Sequence, residues 1–174
     1  MKRRELERAL RAAGRIARDE EFFLIGSQAV HAHCRRPPAE VLLSQECDLY
    51  PVHRPETASL LDLRLGRGSR FARQNGFYVD VVTPELADLP TGWQSRLKPF
   101  RAGPTTAHCL EVHDLIVSKL AAGRLKDLEF VGALIRTHLA DPRRVRRHIR
   151  QVPLKRSRTR LVSRLKSVMD ELKA

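Results

Sequence analysis

Residues 46–52, "ECDLYPV", alternate polar and apolar side chains, and that alternation restricts the chain more than any other feature. A period of two marks a strand with one buried face. Here it sends Glu46 and Asp48 to the same face and Cys47 and Leu49 to the other. A second strand pattern, "FYVDVV" at residues 77–82, places Asp80 in a comparable setting. Carboxylates two residues apart on one strand face repel each other, and a cation between them relieves the repulsion. Hard oxygen ligands completed by water and substrate phosphates describe a magnesium site. Glu46 and Asp48, with Asp80 as a third ligand, are therefore the expected metal residues. The competing reading is a solvent-facing strand edge.

Around these strands the pattern predicts alternating elements. An amphipathic helix over 2–18 carries Leu6, Ala9, Leu10, Ala13, Ile16 and Ala17 on one face. A buried strand "EFFLI" follows, broken by Gly26, and Ser27 is placed to N-cap a helix over 27–33. The prolines in "CRRPPAE" make a loop, and "RPETASLLDLRL" reads as helix. "GRGSRFARQNG" reads as turn, residues 84–106 as irregular, and "HCLEV" as a short fourth strand. Two helices then run through "HDLIVSKLAAG" and "KDLEFVGALIRTHL". Asp141-Pro142 opens a basic helix, and a last helix over about 157–173 buries Leu161, Leu165, Val168, Met169 and Leu172. The expected fold is α/β: a small mixed sheet flanked by helices over 1–110, then an α-helical region over 111–174 with a basic end. Tyr50, Phe77 and Tyr78 are expected in the core.

Charge narrows the partner. Of a formal net charge of +13, residues 141–174 alone supply 12 Lys/Arg against 3 Asp/Glu. A concentrated basic region is the footprint of a polyanion partner, and Arg143, Arg144, Arg146 and Arg147 are the expected contacts to an RNA backbone. An acidic protein is the alternative. No apolar run approaches the length of a membrane span, and the charged amino end does not read as a signal peptide, so a cytoplasmic location is expected. Three cysteines without Cys-x-x-Cys spacing argue against a disulfide framework. The groupings His31/His33/Cys34 and His108/Cys109/His113 read as buried cysteine with incidental histidine rather than zinc ligands.

Ser27 at a strand-to-helix turn offers a hydroxyl and backbone N–H groups at a positive helix end, suited to a triphosphate. Lys119 on a later helix can neutralise phosphate charge. With the carboxylates, these residues describe metal-assisted phosphoryl transfer, in which positioning and electrostatics do most of the catalysis. The bland readings stand beside it: Ser27 as a simple cap and Lys119 as a surface lysine.

Gly-Ser after a first strand followed by an acidic-x-acidic pair on the next resembles the nucleotidyltransferase fold of the polymerase-beta type. The stretch "LEVHDLIVSKLAAGRLKDLEFV", residues 110–131, is similar to the Lys…Lys-Asp segment of AbiEii-type nucleotidyltransferase toxins and their small relatives in bacterial toxin–antitoxin loci. The resemblance implies magnesium-dependent transfer of a nucleotide from a nucleoside triphosphate to an acceptor, which in some relatives is the 3′ end of transfer RNA. It implies that Gly26 and Ser27 hold the triphosphate, that Glu46 and Asp48 ligate metal, and that Lys119 contacts triphosphate. Asp127 would orient Lys119 or assist at the acceptor. A cognate antitoxin is an implied partner. The chain departs from the family pattern in having Glu46 in place of aspartate and a longer interval between Ser27 and Glu46. Two alternatives remain: transfer to a protein or small molecule, and a non-catalytic domain that binds RNA or an antitoxin.

Overall fold

A computed structural model describes residues 1–173. Five strands form one mixed sheet: β1 (Glu21–Leu24), β2 (Glu46–Pro51), β3 (Tyr78–Val81), β4 (Lys98–Ala102) and β5 (Thr105–Cys109). Their spatial order is β3-β2-β1-β5-β4. The pairs β1–β2 and β4–β5 are antiparallel, and β1–β5 and β2–β3 are parallel. Seven α-helices accompany them: α1 (Arg3–Ala17), α2 (Ala58–Leu65), α3 (Arg70–Asn75), α4 (Val112–Ala122), α5 (Leu125–Arg136), α6 (Pro142–Arg150) and α7 (Lys155–Glu171). The expected α/β class with a helical C-terminal region is what the chain adopts.

Register divides the sheet into two unlike faces. Phe22, Leu24, Cys47, Leu49, Val79, Ala107 and Phe100 lie on one face and are buried, with α1 packed against β2, β4, β5 and α2. Helix α1 contributes Leu6, Ala9, Leu10, Ala13 and Ala17 to this core, and Ile16 is only partly buried. On the other face Glu46 stands opposite Tyr78, and Asp48 stands opposite Asp80. Helices α4, α5, α6 and α7 pack on one another; among them Leu115, Ile116, Leu120, Leu134, Ile149 and Leu161 are fully or almost fully buried.

Several local expectations are corrected. The helix after β1 is a 3-10 segment, Ser27–Ala32, whose N-cap is Gly26; Ser27 makes no capping hydrogen bond. Residues 39–43 form a second 3-10 segment inside the expected loop. Within "GRGSRFARQNG" the structure has α3, capped by the Ser69 hydroxyl accepting from the Ala72 N–H at 3.1 Å. The segment read as irregular contains β4, an edge strand in which Pro99, lacking an N–H, is tolerated. The fourth predicted strand sits earlier than expected, because Glu111 leaves the sheet and caps α4, its carboxylate accepting from the His113 N–H at 2.8 Å. Helix α7 buries Leu161, Leu165 and Val168, while Met169 and Leu172 are only partly covered. Tyr50 and Tyr78 are half-buried on the carboxylate face rather than in the core, whereas Phe77 is buried as expected.

Candidate active site

Strand register alone sets Glu46, Asp48 and Asp80 in neighbouring positions on one face. Carboxylate oxygens of the three lie within 4.8 Å of one another. Asp48 is the most enclosed. Burial raises its carboxyl pKa to about 6, with Glu46 and Asp80 adding to the rise and Lys119 and Arg124 opposing it. Asp80 is also raised, by burial, Glu46 and Asp62 against the pull of Arg67. Burial pushes Glu46 up too, but Lys126, Lys119 and the Tyr78 hydroxyl outweigh it and hold Glu46 below the ordinary range. Two of three converging carboxyls thus resist ionising together for want of positive charge. The donor set is all oxygen and anionic, which fits a hard divalent cation such as magnesium.

Gly26 has a steric part in this arrangement. A Cβ on Gly26 would overlap the Asp48 carboxylate, so the chain turns away from β1 through the one residue that leaves Asp48 its place. Its φ of −93° is ordinary, so space, not backbone freedom, fixes glycine here.

Lys119 and Asp127 come from consecutive helices. Lys119 Nζ lies 3.4 Å from Asp127 Oδ1 and 5.7 Å from the centre of the Phe130 ring. The connection between the helices is tight: Gly123 ends α4 at φ +64°, a left-handed conformation that favours glycine. Asp127 then serves the start of α5, accepting from the Arg124 N–H at 3.3 Å and from Arg124 Nε at 2.7 Å. Burial raises its pKa, but Arg124 and Lys119 outweigh that and hold it below the ordinary range. Asp127 therefore both caps the start of α5 and partners Lys119.

Two cavities meet at this point, and Glu46 and Lys119 line both. The smaller, ≈ 330 Å³, is walled by Gly26, Asp48, Asp80, Ser118 and Arg124. The larger, ≈ 740 Å³, has Ser27, Tyr78, Lys126 and Asp127 on its walls beside apolar Val41 and Leu128. Gly26 and Ser27 thus open onto different cavities. Residues unforeseen from sequence complete the site. The Tyr78 hydroxyl donates to Glu46 Oε2 at 3.3 Å and accepts from Arg67 at 2.8 Å, and Lys126 Nζ lies 3.2 Å from Glu46 Oε1. The adjacency of Lys126 to Asp127 in "RLKDLEF" was a readable signal; Arg67 and Tyr78 meet only through the tertiary fold.

Arg143, Arg144, Arg146 and Arg147 are all exposed on α6. None of them lines either cavity. Arg144 lies 3.6 Å from Glu111. A second cluster of metal-ligating types, Glu111, Asp114 and His148, is buried beneath α6. Its charges are already matched: Asp114 receives Arg96 Nε at 2.8 Å and Nη2 at 3.0 Å and meets His148 Nδ1 at 2.7 Å, and Glu111 meets His113 Nδ1 at 2.7 Å. We read it as structural. Neither histidine–cysteine grouping forms a metal cluster among the described residues.

One face of the mixed sheet thus carries three converging carboxylates, flanked by a lysine–aspartate pair. A family model described as a nucleotidyltransferase of unknown function (DUF6036) matches residues 45–151, from just before Glu46 to the end of α6. The chain belongs to that family of nucleotidyltransferases. No curated protein and no solved structure matches it. Among the described residues, no helix is long and apolar enough to cross a membrane.

Proposed function

We propose that the protein transfers a nucleotide from a nucleoside triphosphate to an RNA acceptor, with transfer RNA as the first acceptor to test. The observation that carries the reading is the convergence of Glu46, Asp48 and Asp80 beside Lys119. Those three carboxylates would hold magnesium, which when bound supplies charge stabilisation for the phosphates. Lys119, held by Asp127, faces the triphosphate, and Arg124 and Lys126 add positive charge on either side. Gly26, on the wall of the smaller cavity, and Ser27, on the wall of the larger, flank the junction of the two, where phosphate oxygens would lie. In the reaction an acceptor hydroxyl oxygen forms a bond to the α-phosphorus while the bond to the β-phosphate oxygen breaks. Pyrophosphate leaves, and a carboxylate oxygen of Asp80 takes the hydroxyl proton. The catalytic set is thus Glu46, Asp48, Lys119 and Asp127, with Asp80 as third carboxylate.

The similarity of residues 110–131 to AbiEii-type toxins and the basic α6–α7 region support the RNA acceptor and a toxin–antitoxin setting. Incubation with each labelled nucleoside triphosphate, magnesium and total RNA, resolved on a denaturing gel, tests the reading. Label in a transfer-RNA band supports it. Label in protein, or none with any triphosphate, overturns it.

A further inference from the structure

At the end of the Ser27–Ala32 segment lies a third concavity, ≈ 260 Å³, lined by Arg3, His31, His33, Arg35, Phe100 and Arg101, among others. No carboxylate contributes to its wall. Arg35 and Arg101 are exposed and make no ion pair or side-chain hydrogen bond among the described residues. Arg3 has partners: its Nη1 donates to the His31 carbonyl at 3.1 Å, its guanidinium lies 4.4 Å from the Phe100 ring centre, and its Nε is 3.6 Å from Glu7. His31 is 3% exposed. Its Nε2 donates to the Met1 carbonyl at 3.0 Å, and its Nδ1 is buried with no hydrogen-bond partner. With Nε2 donating, Nδ1 carries a lone pair and accepts, so the arginines and not this nitrogen are what an anion would meet.

The size and position restrict that ligand. The volume falls below the roughly 300 Å³ at which pockets for whole small molecules begin. Three guanidinium groups around so small a space suit one phosphate group, since arginine matches phosphate geometry. Ser27 borders the active cavity and His31 this concavity. Four residues of 3-10 helix, a rise of about 8 Å, separate Ser27 from His31.

We propose that this arginine-lined concavity binds a backbone phosphate of the acceptor RNA strand a short way from its reacting end. The inference rests on the reading of the acceptor as RNA, but binding is measurable without turnover. The test is fluorescence anisotropy of a labelled single-stranded RNA across a salt series without nucleoside triphosphate, for three proteins. These are the wild type, the Arg35→Gln/Arg101→Gln variant, and a control with Arg15→Gln/Arg70→Gln, two exposed arginines outside the concavity. Loss of one phosphate contact lowers the slope of log affinity against log salt by about 0.7. That drop is expected in the first variant and not in the control. Equal slopes in the two variants, or no RNA binding by the wild type, overturn the proposal. So does stabilisation of the wild type by inorganic phosphate that is lost in the Arg35/Arg101 variant while RNA binding is unchanged, which identifies a small-anion site. Magnesium–triphosphate binding, measured separately on the wild type, shows whether the nucleotidyl-transfer reading fails while this one stands.

Discussion

The carboxylate of Asp48 occupies the space that a side chain on Gly26 would need. Replacing Gly26 with alanine should therefore displace Asp48 and weaken magnesium binding about as much as Asp48→Ala does. Ser27→Ala, whose hydroxyl only meets the Gln28 amide at 3.4 Å, should leave magnesium binding unchanged. Calorimetric magnesium titration of the three variants checks this. Removing Asp48 itself should cost several kcal/mol in the transition state, a thousandfold or so in transfer, with the fold intact.

Glu46 reaches further than an aspartate would, and its extra methylene is used: its two oxygens meet Tyr78 and Lys126. Glu46→Asp should accordingly lower magnesium affinity rather than improve it. Tyr78→Phe, which removes only the orienting hydroxyl, should cost about tenfold. Unchanged affinity in Tyr78→Phe would show that Arg67 and Tyr78 do not position Glu46.

Asp127 is 2% exposed and Lys119 9% exposed, so the pair is broken at a cost. Asp127→Ala should destabilise the fold by about 3 kcal/mol, since it leaves Lys119 buried without its partner and removes the cap of α5. Lys119→Met should instead raise the KM for nucleoside triphosphate with little loss of stability, because Asp127 keeps Arg124. Chemical denaturation and steady-state kinetics separate the two outcomes.

Stability should fall in acid through Glu111. Burial raises its carboxyl pKa, but the hydrogen bonds and charge of His113 more than reverse that and hold it at about 2, below the ordinary 4.5. A depressed carboxyl stabilises the fold above its unfolded value, so this contribution is complete above about pH 5 and lost as pH falls towards 2. Its size is on the order of 3 kcal/mol. Glu111→Gln should be less stable at pH 7 and show a flatter acid limb in urea titrations between pH 2 and 5.

The four arginines of α6 lie outside the cleft, so their effect should be confined to the acceptor. Changing Arg143, Arg144, Arg146 and Arg147 to glutamine should lower the salt slope of RNA binding by up to about 2.8. Triphosphate binding should not change. An unchanged slope would assign the basic end to another partner, an acidic antitoxin first.

The sequence by itself determined the α/β class and the shared face of Glu46 and Asp48. Both follow from short-range periodicity, because a strand must alternate its side chains whatever surrounds it. It also located the end of α4 and the start of α6, at Gly123 and Asp141, where local backbone chemistry decides. Tertiary structure alone decided what converges. β4 was illegible because a short edge strand with Pro99 buries only Phe100 and Ala102 and carries little pattern. The overlap that makes Gly26 a necessity, the Tyr78–Glu46–Lys126 contacts and the separation of α6 from the cleft join residues distant in the chain. Strand pairing and helix packing fix those distances, and no local spacing encodes them.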